Sequence, residues 1–320
     1  MVKFRFFIRF AFVLLSFYGF SNKIEGKMLE VQEASLFSET FGDKNNPAIL
    51  LNAGAGSQSI IWADEFCKSL SEKGYFVIRY DYRDTGLSSQ TDDEKNPYDI
   101  KDLAQDALSI LKKYNIQKAH FVGFSMGGQI AQFIGAYFPE HVLSLILLGT
   151  STDFRPGFEA FEGIYKNQGL SPPEANYVTW ATRKVDLASQ TLDEKVDDYV
   201  NTWRRLDGNS PEFREDYYRQ EGLLNYTRTK LHMPYLKHAK AMRASFEDHE
   251  KAPPLIKVPT LIIQGAQDPV FGIDHGKSLH SQIKNSTLMI WEGFGHAISP
   301  QNFDRLIDAI NMFIKSHFPI

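Results

Sequence analysis

The chain has 320 residues, with 35 Lys and Arg against 39 Asp and Glu, for a formal net charge of −4. Hydrophobic residues at 43% and charged residues at 23% are the balance of a folded globular protein, which excludes a disordered or collagen-like chain. The near-neutral charge lacks the basic footprint of a nucleic-acid binder, and a single cysteine, Cys67, excludes an internal disulfide framework and any Cys-based zinc or iron–sulfur cage. Cys67 itself reads as a small buried hydrophobe.

The first residues are unlike the rest. Lys3, Arg5 and Arg9 precede the apolar run 10–20, which has only about half the length that spans a bilayer. Basic residues before a short apolar stretch, with Gly19 and Ser21 at a cleavage position, suit a signal peptide and an exported protein, periplasmic or secreted. Two other readings stay open. One is an uncleaved tether, with membrane contact through this segment only. The other is a translation start at Met28 and a cytoplasmic protein. Residues 1–27 are therefore kept out of the fold.

Beyond Met28, residues 31–41 alternate like a strand and end at the turn signal Gly42-Asp43. Residues 48–51 form a compact apolar run between Pro47 and the Gly-rich stretch 52–56. The pattern over 62–73 predicts a helix with Phe66, Cys67 and Leu70 on one face, and 75–80 reads as the next strand. Residues 100–114 place Leu103, Ala107, Ile110 and Leu111 at helical spacing. A strand over 119–122 runs into Gly123, and a helix over 129–137 ends before Pro139, which cannot continue it. Residues 142–148, 259–263 and 286–290 complete the strands. A last helix over 303–314 carries Leu306, Ile307, Ile310 and Phe313.

Near-continuous apolar runs are what a sheet buried on both faces requires. Their alternation with helices at crossover spacing predicts an α/β fold: a mostly parallel sheet with helices on both faces. From about 151 to 251 that rhythm breaks. The pattern there is helical and polar, with turns at Ser171-Pro172-Pro173 and at 208–211. It predicts a helical cap over 151–251, inserted into a core of 28–150 and 252–320. The fourteen aromatic residues between Thr152 and Glu250 match the 13% of the whole chain, so their number singles out no aromatic pocket.

The chemistry concentrates at Phe121-Val122-Gly123-Phe124-Ser125-Met126-Gly127-Gly128. Gly123, Ser125 and Gly127 form Gly-x-Ser-x-Gly between a strand and a helix, the context in which that motif projects a serine from a tight turn. A side chain two positions either side would strike the turn, hence the glycines. The helix that begins at Met126 aims its amide groups and positive dipole end at the same point.

A serine hydroxyl needs a base, and the base needs an orienting group. Asp268 follows a strand in Ile262-Ile263-Gln264-Gly265-Ala266-Gln267-Asp268-Pro269. His296 lies in Glu292-Gly293-Phe294-Gly295-His296-Ala297, a Gly-flanked loop after the last strand. Asp153, Asp81 and Asp84 are rival acids. The oxyanion donors expected are the amides of Met126 and of Ala55, the latter in the loop Asn52-Ala53-Gly54-Ala55-Gly56. That loop is not a dinucleotide turn, because Ser59 stands where the third glycine belongs. The chain has no His-Glu-x-x-His, and neither metal nor organic cofactor is expected.

These residues resemble the α/β-hydrolase superfamily over roughly 29–316. Asp81-Tyr82-Arg83-Asp84-Thr85-Gly86-Leu87-Ser88 is similar to that family's Asp-x-Arg-x-x-Gly-x-Ser loop. Further matches at 62–66, at Asp268-Pro269 and at His275-Gly276-Lys277 are similar to the aclacinomycin methylesterase type, enzymes that cleave a methyl ester on a polyketide aglycone. Many members carry His-Gly in the oxyanion loop; here it is Ala53-Gly54, and the methylesterase type also lacks that histidine. The resemblance implies Ser125, His296 and Asp268 as a catalytic triad, an acyl-enzyme, and a small-molecule ester as substrate. Other serine-based activities stay open, namely monoglyceride lipase, carbon–carbon hydrolase, thioesterase and perhydrolase, as does a ligand-binding protein on the same scaffold.

Overall fold

The computed structural model describes residues 26–92, 94–164, 169–184, 189–229 and 234–319. The chain enters through β1 (Gly26–Glu30) and β2 (Ser35–Phe41), passes to β3 (Ala48–Asn52), and then alternates α1 (Asp64–Glu72), β4 (Phe76–Tyr80), α2 (Ile100–Lys113), β5 (Ala119–Phe124), α3 (Met126–Tyr137) and β6 (Val142–Leu148). Helices α4 (Arg155–Phe161), α5 (Ala175–Ala181), α6 (Leu192–Leu206), α7 (Glu215–Arg228), α8 (Pro234–Ala244) and α9 (Phe246–Lys251) follow with no strand among the described residues. The sheet resumes with β7 (Thr260–Gly265), α10 (Ile273–Gln282), β8 (Ser286–Trp291) and α11 (Phe303–His317).

The eight strands lie in the order β1-β2-β4-β3-β5-β6-β7-β8. From β4 to β8 every pairing is parallel; β1 with β2 and β2 with β4 are antiparallel. Every residue of β3, β4, β5 and β7 is buried, which explains their unbroken apolar runs. The helices cover them with the faces expected: Phe66, Cys67 and Leu70 on α1, and Leu103, Ala107, Ile110 and Leu111 on α2. Asp99 caps α2, accepting from the Lys101 and Asp102 amides at 2.7 and 3.1 Å. Burial pushes the Cys67 thiol up to about 12, so it remains a protonated, apolar side chain.

Three elements differ from the sequence expectation. Residues 31–41 are not one strand: 31–34 form a turn, in which the Val31 amide meets the Ala34 carbonyl at 2.9 Å, and only 35–41 continue as β2, the second arm of a hairpin with β1. Val31-Gln32-Glu33-Ala34 has neither Gly nor Pro, so the alternation reads straight through the turn. Gly26 and Lys27 are the first residues of β1, paired with Glu39 and Ser38, and belong to the sheet. The basic and apolar segment before them lies outside the described residues. Finally, β8 pairs on one side only, and Ile290 is exposed, so that strand is an edge and not a strand buried on both faces.

The helices between β6 and β7 are tied to the sheet layer by a buried ion pair. Arg228, in the last turn of α7, places Nη1 2.9 Å from Asp81 Oδ2 and 2.9 Å from Gln58 Oε1. Asp81 also accepts from the amides of Ser59 at 2.8 Å and Leu87 at 3.0 Å. Both side chains of the pair are essentially without solvent contact. Removing one partner leaves the other charge buried and uncompensated. Arg228→Met should therefore cost about 3–5 kcal/mol of unfolding free energy. Chemical denaturation of the variant against the wild type checks this, and a loss below about 1 kcal/mol would show the pair to be solvated.

Candidate active site

Ser125 occupies the turn between β5 and α3, with φ 54° and ψ −118°. A residue with a side chain adopts that left-handed region at a cost of about 1–3 kcal/mol. The surrounding backbone allows little else. The Ser125 amide donates to the Leu148 carbonyl at 3.0 Å, and its own carbonyl accepts from the Gly128 amide at 2.9 Å and Thr150 Oγ1 at 2.8 Å. A Cβ on Gly123 would lie 2.3 Å from the Gly127 carbonyl oxygen, and one on Gly127 2.2 Å from that of Asn52. Both obstacles are backbone, so neither can swing aside. Met126 opens α3, and its amide points from the first helical turn beside the serine.

Asp268 follows β7 in a tight turn. Its Oδ1 accepts from the Val270 and Phe271 amides, both at 2.8 Å. Its Oδ2 lies 2.8 Å from His296 Nδ1 and 3.4 Å from Gln264 Nε2. A carboxylate only accepts, so His296 donates from Nδ1 and keeps its lone pair on Nε2, the nitrogen on the far side of the ring. The ring packs against Phe124 at 4.8 Å and Phe271 at 5.4 Å between centroids. Gly149, with φ +45°, runs close by; a Cβ there would lie 3.2 Å from both Asp268 Oδ2 and His296 Nδ1.

The rival carboxylates have other partners. Asp153 takes Arg155 Nε at 2.8 and 3.0 Å through its two oxygens. Asp81 takes Arg228, and Asp84 takes the Thr91 amide at 2.8 Å and Lys237 Nζ at 2.9 Å. The carboxylate that the structure brings to His296 is that of Asp268.

Ser125, His296 and Ala55 line one cavity of about 550 Å³. The loop after β3 passes over the serine, since a Cβ on Gly54 would lie 3.5 Å from Ser125 Cβ. The amide after Ala55, Gly56 N–H, donates to His238 Nδ1 at 2.9 Å, while His238 Nε2 lies 3.2 Å from the Arg83 carbonyl. Burial pulls His238 down to about 4, so the ring is neutral and joins the two loops by accepting at one nitrogen and donating at the other. The far wall of the cavity comes from the inserted helices: Phe158 on α4, Tyr177 on α5, Trp203 on α6, Tyr226 on α7 and Met242 on α8. The aromatic residues of the insert are thus ordinary in number, and among the described residues eight of the fourteen line this cavity.

Sequence reading passed over several of these residues. Gln264 had a signal, a lone polar residue closing an apolar strand four positions before Asp268. Gly149 had a weaker one, a glycine at the carboxyl end of a buried strand. His238 had none, because its partners lie 182 and 155 residues away.

Comparison with known proteins identifies the family. Residues 47–303 match the model of a family described as alpha/beta hydrolase fold. The chain is 32% identical over 289 residues to a rhodomycin D methylesterase of Streptomyces peucetius, covering 89% of this chain and 96% of that one. It is 27% identical to 3-oxoadipate enol-lactonase 2 of Acinetobacter baylyi, over 88% of this chain and 95% of the relative. Among solved structures, an esterase from Exiguobacterium antarcticum superposes with a TM-score of 0.65 at 22% identity, over 91% of this chain and 99% of that one. The chain belongs to the α/β-hydrolase family and, within it, stands with enzymes of ester hydrolysis.

Tyr199, which faces the cavity from α6, donates to Glu221 on α7 at 2.6 Å, and the nearby Tyr217 hydroxyl also favours the charged form of that carboxyl. Burial raises Glu221 from 4.5 to about 7, against the lowering effect of the two hydroxyls. Between those values the folded state keeps a proton that the unfolded state has lost, so this group lowers stability as pH rises and adds no further change above the upper value. Glu221→Gln removes that fall. Its stability relative to the wild type should improve between pH 4.5 and pH 8 by on the order of 3 kcal/mol. Urea denaturation at the two pH values measures the difference, and parallel pH profiles for the two proteins would refute it.

Proposed function

We propose that this α/β-hydrolase cleaves a carboxylic ester of a small or medium-sized hydrophobic substrate through an acyl-enzyme on Ser125. The observation that carries the reading is the meeting of three groups at one cavity: a serine on a glycine-flanked turn, an imidazole with its free nitrogen away from the acid, and the loop bearing Ala55. His296 Nε2 removes the proton of the Ser125 hydroxyl as the oxygen attacks the ester carbonyl. Asp268 holds the Nδ1–H tautomer and stabilises the imidazolium that forms. The amides of Met126 and Ala55 bind the oxyanion, a contribution worth about 10²–10³ in turnover for each donor. His296 then gives its proton to the leaving alcohol, and the same cycle with water releases the acid.

The relatives support ester cleavage from two sides. One is named for a methyl ester and the other for an enol-lactone, and a lactone is an ester closed on itself, so one mechanism serves both. The helices α4 to α8, as the cap, would set the choice of substrate, because they supply the wall opposite the serine. The aromatic and aliphatic part of that wall favours an apolar acyl or alcohol portion, while Arg183, Lys195 and Asp198 give the same wall a charged part.

Ser125→Ala tests the reading. Hydrolysis of short p-nitrophenyl esters should fall at least about 1,000-fold, and labelling by a fluorophosphonate probe should vanish. A folded variant that keeps more than a few per cent of wild-type turnover would remove the serine from the mechanism.

A further inference from the structure

The inserted layer does more than face the substrate. At the end of α6, the Leu206 carbonyl accepts the backbone amide of His296 at 2.5 Å. A Cβ on Gly295 would lie 2.4 Å from the Leu206 oxygen and 2.4 Å from the Asp207 carbonyl carbon. A Cβ on Gly208 would lie 2.8 Å from the carbonyl oxygen of Gln267, the residue before Asp268. One turn of the insert is therefore wedged between the loop of the imidazole and the loop of its acid.

Asp207 binds the histidine loop a second time. Its carboxylate accepts from Ser299 Oγ and from Gln301 Nε2, the latter at 2.9 Å. The Tyr218 hydroxyl reaches the same Ser299 at 3.2 Å, and the Tyr218 ring is stacked against Phe213 at 4.7 Å and Trp203 at 5.7 Å. Asp207 is 2% exposed, and among the described residues no cation pairs with it. Burial raises its carboxyl to about 6, against the lowering effect of Ser299 and Gln301. A carboxylate so enclosed is costly unless its hydrogen bonds are well used. Its described side-chain partners both belong to the loop that carries His296.

We propose that Asp207 is a positioning residue for His296: through Ser299, Gln301 and the adjoining Leu206 carbonyl it sets where the imidazole stands relative to Ser125. The proposal rests on the reading of His296 as the base. Asp207 touches no reacting atom. It acts by holding the segment from His296 to Gln301 against the end of α6, beside the contacts that the ring itself makes with Asp268, Phe124 and Phe271, and so fixes the proton-transfer distance.

Asp207→Ala and Asp207→Asn are compared with the wild type in kcat, KM and the rate of fluorophosphonate labelling, each per titrated active site. Because a misplacement of about 1 Å can cost 10²-fold, Asp207→Ala should lose about 30-fold or more in kcat and labelling with KM little changed. Asp207→Asn should recover most of this, since its amide oxygen can accept from Gln301 and its amide nitrogen can donate to Ser299. Wild-type turnover in Asp207→Ala, or equal loss in both variants with KM rising, would overturn the proposal. Should Asp207→Ala not fold, Ser299→Ala cuts the same link and leaves the acid in place; it should lower kcat about 5-fold or more, and an unchanged kcat would refute the role. A wild-type protein that does not label at Ser125 would defeat the serine mechanism and this role with it, an outcome distinct from altered variants of a labelling enzyme.

Discussion

The rest of the site depends on a crowded backbone at residues 123–127. Ser125 stands in a conformation that side chains avoid, and it stays there because every relaxation meets something immovable. Gly123 and Gly127 press backbone against backbone, Gly127 presses on the end of β3, and Gly128 leaves no room for a Cβ against Thr150. The strain, about 1–3 kcal/mol, is small beside the apolar burial of β5 and α3, whose side chains are almost wholly enclosed. The turn is also sewn into the sheet, since Phe124 pairs with Leu148 and the next amide continues the ladder to the Leu148 carbonyl. The hydroxyl is thus projected into the cavity by the same contacts that close the core.

That explains which parts were legible in the sequence. The central strands carry their own signal, because enclosure on both faces demands an unbroken apolar run, and the serine turn demands glycines at fixed offsets. Where the physical cause is remote, the signal disappears. Asp81, Asp153 and Asp268 all follow a strand, and nothing local separates them. They differ in partners: Arg228 lies 147 residues from Asp81, and His296 lies 28 from Asp268. The β1–β2 hairpin was hidden by a turn built without glycine or proline. The edge position of β8 was hidden because Leu288, Met289 and Ile290 are as apolar as a central strand while only half covered. A count of aromatic residues could not reveal the wall of the cavity, since it is the placement of eight of them toward the cavity that makes it.

The insert joins the sheet layer at several of the groups that matter for chemistry. His238 accepts the amide next to Ala55, Arg228 occupies Asp81 and Gln58 behind the same loop, and Leu206 and Asp207 hold the loop of His296. Each of these contacts comes from a helix that also lines the cavity or adjoins one that does. On α6 the two roles are within a single turn: Trp203 faces the cavity, and its carbonyl accepts the Asp207 amide at 2.8 Å.

On the proposed function, selection of substrate and assembly of the site are therefore mechanically linked. A change of side chain on the wall that leaves the helix in register alters what fits and leaves the brace intact. An inserted or deleted residue in α6 would rotate Asp207 by about 100° around the helix axis and withdraw it from Ser299. The wall can vary freely in chemistry only while the backbone that carries it stays fixed, because the end of that backbone is also the support of the imidazole.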